Sequence, residues 1–345
     1  MKRAAASATL LLAAATAGAQ VPDPLDIRAC KAVESDSQRL ACYDNATHRD
    51  EMSPEAPVPP SASQDMFGLE TGDPQRSLLD SRWELAPENK LGTFNLRGYQ
   101  PIYIMPLFAT SDRNETPHSP NPNNTVTEGE QLDSIEAKFQ LSFKTKVWQG
   151  VFGDHGDVWA TYTQSSRWQL YNGDISRPFR ETDYEPEVML VFDTRYRAFG
   201  WDGRLLGVGV NHQSNGRSDP LSRSWNRVIA NIGFEREGWS VMLRPWWRIN
   251  ESFDSDNNPD IEDYMGRGEL QVLHIGDANE FGLLLRHSLR SGADSHGSAR
   301  FTWSFPVAGN LRGYLEAFTG YGESLIDYNH RATYLGVGVS LLDWY

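Results

Sequence analysis

The run Leu205-Leu206-Gly207-Val208-Gly209-Val210-Asn211-His212-Gln213-Ser214-Asn215-Gly216 holds an imidazole and a hydroxyl on alternate residues near its end. Read as a strand, it presents Leu206, Val208, Val210, His212 and Ser214 on one face and Gly207, Gly209, Asn211 and Gln213 on the other. A base and a nucleophile therefore share a side with aliphatic residues. In a water-soluble sheet that side would be sealed in a core. Facing lipid, it would offer the pair to the membrane. The chemistry implied is attack on a component of the bilayer.

The next residues, Arg217-Ser218-Asp219-Pro220-Leu221-Ser222-Arg223-Ser224-Trp225-Asn226-Arg227, pass through a turn-rich loop into a second alternating run. The pattern predicts a hairpin. If His212 stands opposite Asn226, both fall on the apolar side, with Cβ atoms about 4.5–5.5 Å apart. Neutral His212 can then take the Ser214 proton, and Asn226 can accept the other imidazole N–H and fix the tautomer. An amide offers no full negative charge to the imidazolium, so extra help at the oxyanion is expected; the Gly216 N–H is a candidate. Asp219 and Ser222, with loop carbonyls, are hard oxygen donors of the kind calcium takes, although Ser-Asp-Pro more often marks a plain turn.

Such residues need long strands to carry them. From about Phe94 onward, alternating segments are separated by Gly, Asn, Asp and Pro, with strand starts expected near Phe94, Ser134, Asp157, Glu187, Arg204 and Ser224. Six more are expected near Ser240, Tyr264, Glu280, Ala299, Leu311 and Ala332. An even set of about twelve predicts an all-β, twelve-stranded antiparallel transmembrane barrel over 77–345. The last strand agrees: Leu335, Val337, Val339 and Leu341 alternate toward the terminal Tyr345, with only Asp343 out of pattern.

Ahead of the barrel, Lys2 and Arg3 precede an Ala-rich apolar stretch, and Ala17-Gly18-Ala19 has the small-residue form of a processing site. Residues 1–19 are expected to be a signal peptide. Residues 20–50 are expected to form a small periplasmic segment of one or two short helices, clipped by a Cys30–Cys42 disulfide. A Pro-rich linker follows over 51–76. Several function classes fall away. Beyond residues 1–19, no apolar run approaches the roughly 18 residues of a spanning helix. A net charge of −14 argues against nucleic acid as a partner. Gly207-Val208-Gly209 lacks the third glycine and helix of a dinucleotide loop, and there is no His-Glu-x-x-His metal helix.

The block Asn211 to Arg227 closely resembles the active-site segment of outer membrane phospholipase A, a barrel lipase of Gram-negative envelopes. A second block, Ser176-Arg177-Pro178-Phe179-Arg180-Glu181-Thr182-Asp183-Tyr184-Glu185-Pro186, resembles it too. The likeness spans roughly Pro87 to Tyr345 and leaves the Cys30–Cys42 region unexplained. It implies Ser214 as nucleophile, His212 as base and Asn226 as its orienting partner, acting on outer-membrane phospholipid. It also implies calcium held by the Arg217 carbonyl and Ser222 of one protomer and Ser176 of the other, with Asp219 tied to a calcium position in the monomer. The active state would be a homodimer joined through its lipid-facing surfaces, with Gln164 at the interface. The rival expectation is a passive barrel, a porin or structural protein, in which His212 and Ser214 are incidental.

Overall fold

The computed structural model describes residues 29–33, 35–46, 77–252, 255–276 and 278–344. The expected signal peptide and Pro-rich linker lie outside them. The chain divides into two units, 1–61 and 62–345. In the first, a short turn, Ala29–Ala32, precedes helix α1, Asp36–Ala46, and the Cys30–Cys42 disulfide joins them with Cα atoms 5.6 Å apart. Asp36 in the first turn of α1 suits the positive end of the helix dipole and pairs with Arg39.

The second unit opens with α2, Leu78–Trp83, whose first turn is capped by the Ser77 hydroxyl accepting from the Asp80 N–H. The strands are β1 Leu96–Gly98, β2 Ile102–Thr110, β3 Ile135–Trp148, β4 Asp157–Trp168, β5 Phe179–Ala198, β6 Trp201–Ser214 and β7 Ser224–Arg236. They continue as β8 Trp239–Ile249, β9 Gly268–Ile275, β10 Glu280–His287, β11 Gly297–Ala308, β12 Leu311–Tyr321 and β13 Arg331–Leu342. From β2 on, each pairs antiparallel with the next, and β13 returns to β2. β1 and β2 lie along the same partner β3, so these 13 segments make a closed barrel of twelve staves. Pro101, which has no N–H to give a ladder, sits at the break between them. Closure gives every strand from β2 to β13 a partner on both sides, the condition for a sheet to exist in hydrocarbon.

Two strand starts differ from expectation. β5 begins at Phe179 rather than near Glu187, because Glu181, Asp183 and Glu187 point inward, where Asn215 meets Glu181, Arg167 meets Asp183 and Arg244 meets Glu187. A stretch with charge on its inner face does not look like a strand until the lumen is known. Tyr264 lies in helix α3, Ile261–Met265, and β9 starts only at Gly268.

The barrel is inside-out relative to a soluble fold. Leu206, Val208 and Val210 are 47 %, 47 % and 56 % exposed, and Leu141, Val188, Leu335 and Leu341 are exposed likewise. The lumen is filled by ion pairs. Lys138 bridges Glu316 and Glu323 at 2.7 and 2.8 Å, and Arg167 joins Glu323 and Asp183 at 2.9 Å each. Arg244 lies 2.9 Å from both Glu187 and Glu269. Asp343, out of pattern as a lipid-facing residue, follows the end of β13 and is buried against Ser340, Ser304 and Arg312.

The β12–β13 loop closes one mouth. Leu325 N–H donates to Asp183, Ile326 N–H donates to Glu181, and the Tyr328 hydroxyl donates to Asp260 at 2.6 Å. Burial alone would push the Asp327 carboxyl up, but Arg180, 2.8 Å away, and the Ser324 hydroxyl hold it below its ordinary value. Inside, between Arg167, Asp183, Arg227, Arg244 and Glu269, lies a cavity of about 80 Å³. That is room for a few waters and not for a channel. The protein reconstituted in planar bilayers is therefore expected to show no sustained ionic conductance. A steady porin-like current would contradict a filled lumen.

Candidate active site

β6 and β7 pair with His212 opposite Asn226 and Ser214 opposite Ser224. Inward from them, Asn211 is fully buried, and Gln213 accepts from the Trp225 indole and from Arg227. The alternation is thus pinned from inside: a one-residue slip would drive Asn211 into lipid. His212 and Ser214 consequently continue the outward row of Leu206, Val208 and Val210, with His212 exposed and Ser214 half-buried.

Across the ladder, His212 Nδ1 lies 2.8 Å from Asn226 Oδ1. The Asn226 amide also donates through Nδ2 to Glu251 Oε1 at 3.1 Å. Glu251 follows the end of β8, two residues beyond Ile249, which itself stands opposite Asn226. Among the described residues no hydrogen bond links the Ser214 hydroxyl to the imidazole. Alternate positions on one strand face are roughly 6.6 Å apart, a gap two side chains can close by rotamer choice when substrate arrives.

The loop that follows is held from several sides. The Asn215 side chain accepts from the N–H groups of Arg217 and Arg223 at 3.2 and 2.9 Å and donates to Glu181 and to the Leu221 carbonyl at 3.0 and 2.8 Å. Gly216 has φ +63°, and a Cβ there would meet the Tyr184 ring at 3.1 Å, so glycine is needed for both conformation and space. Its N–H makes no hydrogen bond among the described residues. From the distant β2–β3 loop, Asn124 donates to Asp219 Oδ1 at 2.8 Å and to the Ser222 carbonyl at 3.2 Å, and its own carbonyl accepts from Arg223. Burial pulls the Arg223 guanidinium below its ordinary value.

Sequence reasoning missed Asn124, Asn215 and Glu251. Asn215 carried a weak signal as half of an Asn-Gly pair. The others lie far from the motif in sequence.

The expected metal-binding residues are only partly together. Arg217, Asp219 and Ser222 share the β6–β7 loop; Ser176 lies on the β4–β5 loop, with φ +63°. No cluster of three or more His, Cys, Asp or Glu that could hold a metal occurs among the described residues. The donors on the β6–β7 loop are all oxygen, and Asp219 uses only Oδ1 toward Asn124. That chemistry suits a hard cation and not a soft one. Gln164 faces outward on β4, its Oε1 accepting from the Tyr162 hydroxyl at 3.1 Å and its Nε2 donating to Ser166 at 3.4 Å.

The family model for phospholipase A1 matches residues 79–341. The chain belongs to the phospholipase A1 family. A putative phospholipase A1 of Neisseria meningitidis serogroup B is 40% identical over 271 residues, covering 77% of this chain and 70% of the relative. Among solved structures, the Salmonella typhi outer membrane phospholipase dimer with bound calcium is 39% identical, covers 73% of this chain and 94% of its own, and superposes with a TM-score of 0.65. An Escherichia coli outer membrane phospholipase A carrying an asparagine-to-alanine active-site mutation is 36% identical, covers 75% and 96%, and gives the same TM-score, 0.65. This phospholipase is an outer-membrane β-barrel that hydrolyses phospholipid.

In this phospholipase, Asn124 is the one side chain that braces both Asp219 and the Ser222 backbone from another loop. Asn124→Ala should cost about 1–3 kcal/mol of stability, the usual loss when buried partners are left unpaired. Denaturant unfolding in detergent checks this, with hydrolysis falling severalfold in parallel. An unchanged midpoint and rate would show that the loop holds itself.

Proposed function

We propose that this phospholipase cleaves acyl esters of glycerophospholipids through a Ser214–His212–Asn226 triad on the lipid-facing side of the barrel, in a calcium-dependent homodimer. The observation that carries the reading is the 2.8 Å hydrogen bond between His212 Nδ1 and Asn226 Oδ1 on that exposed face, one side-chain repeat from Ser214. A polar pair that meets lipid is costly and needs a reason.

The chemistry runs as follows. His212 Nε2 takes the Ser214 proton as Oγ bonds to the ester carbonyl carbon, and the carbonyl electrons move onto oxygen. The Gly216 N–H is positioned in sequence to donate to that oxyanion. Collapse breaks the bond to the glycerol oxygen, which takes the proton from His212 and leaves as lysophospholipid. Water, deprotonated by His212, then attacks the acyl-serine; the fatty acid departs and the proton returns to Ser214.

The Arg217 carbonyl and the Ser222 hydroxyl would hold calcium, with Ser176 supplied by a second copy, and Asp219 would serve a calcium position in the monomer. Bound there, calcium would add positive charge beside the developing oxyanion. The oxygen-only donor set on one loop supports this, as does the calcium-bound dimer solved for the Salmonella typhi relative. Gln164 would lie in the contact between the copies, where a second barrel could satisfy an amide that lipid cannot.

The test is hydrolysis of phospholipid in mixed micelles with calcium or with chelator. Ser214→Ala and His212→Ala should each lose at least about a thousandfold in kcat with the barrel intact, since the two act as a unit. Asn226→Ala should lose about ten- to a hundredfold, because the imidazole remains in place as the base and loses its orienting partner. Ser176→Ala should weaken calcium activation and leave reaction of Ser214 with a small sulfonyl fluoride unchanged. Near-wild-type turnover by Ser214→Ala would sink the triad; full activity in chelator from a monomeric sample would sink the calcium dimer alone.

A further inference from the structure

An asparagine amide has two ends, and only one of them suits the His212 ring. With Oδ1 toward Nδ1, the ring must carry its proton on Nδ1, and Nε2 keeps the lone pair that Ser214 needs. Turned over, the amide would present its NH2 to Nδ1. Nδ1 would then be the acceptor and Nε2 would carry the proton, so the base would be blocked. Nothing in the His212–Asn226 pair itself decides between the two.

Glu251 decides it. Its carboxylate can only accept, and it lies 3.1 Å from the Asn226 nitrogen. Reversing the amide would set Oδ1 against the carboxylate, breaking that hydrogen bond and placing two acceptors face to face. The half-buried Glu251 also places a negative charge at the end of a His–Asn–Glu chain whose middle member has none. Through the polarised amide, that charge favours the imidazolium formed when Ser214 is deprotonated. It supplies what an asparagine in place of an aspartate lacks.

We infer that Glu251 is a positioning residue of the hydrolysis, which locks the Asn226 amide and through it the His212 tautomer in the base-competent state. The geometry gives this role a local cause. Asn226 lies between His212 on β6 and Ile249 on β8, and Glu251 stands two residues past Ile249, its carboxylate within hydrogen-bond reach of the Asn226 amide. The inference rests on the triad reading above and deepens it.

The experiment is a double-mutant cycle in the full-length, detergent-solubilised phospholipase, with kcat and KM measured on micellar phospholipid. Heat-modifiable gel mobility serves as the check that each barrel is folded. Glu251→Ala should lower kcat about tenfold or more with KM nearly unchanged, the scale of one lost charge-assisted hydrogen bond. Glu251→Gln, whose side-chain oxygen can still accept from Asn226, should recover most of that loss. In an Asn226→Ala background, Glu251→Ala should cost nothing further. A wild-type kcat for Glu251→Ala overturns the inference. So does an undiminished loss in the Asn226→Ala background, or a Gln variant no better than Ala. Ser214→Ala measured alongside separates the two levels. If it is dead while Glu251→Ala is fully active, only the positioning role falls; if it is active, the triad falls.

Discussion

Hydrocarbon offers no hydrogen-bond partner to any group that reaches it, and this constraint organises the whole molecule. Backbone groups answer by closing the sheet on itself, β13 onto β2. Charged side chains answer by turning into the lumen, where Lys138, Arg167 and Arg244 each meet two carboxylates. The pattern is broken at one place, where His212 and Asn226 stand hydrogen-bonded on the outer face, and the proposed mechanism makes that break the site of the base and nucleophile. His212 can stand there because the chain beside it supplies its partners, Asn226 across the ladder and Glu251 behind it.

The filled lumen has a second role. Buried ion pairs in a dry interior contribute little net stability, yet removing one partner leaves a charge stranded, so they specify one arrangement strongly. In this barrel they fix register. Asn211 and Gln213 are tied to Arg227 from within, and the same pairing sets His212 opposite Asn226 outside. Inner and outer faces of one hairpin are therefore a single device. The loop beyond is joined to it through Asn215, which reaches Glu181 on β5, and through Asn124 on the β2–β3 loop.

How much of this could be read in the sequence depended on whether the signal was local. The β6–β7 hairpin was legible because a period-two pattern fixes faces; it put His212 and Asn226 on one side, while the register that sets them opposite each other is a finding of the structure. Most strand starts were legible for the same reason. β5 was shortened because its charged inner row, Glu181, Asp183 and Glu187, looks like loop until Arg167 and Arg244 are known to face it. Glu251 and Asn124 were not legible. Each acts through tertiary contacts, from a position where no periodicity or spacing marks it. The Asp343 exception became intelligible only when the strand was seen to end at Leu342, freeing the next residue to turn inward.

The central claim is that the nucleophile sits on the lipid-facing side of the barrel and is Ser214. Covalent capture tests it most directly. The protein in micelles is treated with a long-chain alkylsulfonyl fluoride, whose sulfur an activated serine attacks with loss of fluoride, and the modified peptide is located by mass spectrometry. The account predicts one adduct, on Ser214, formed at a rate that falls when His212 is replaced by alanine. An adduct on any other side chain, or labelling of Ser214 at the same rate without His212, would contradict it.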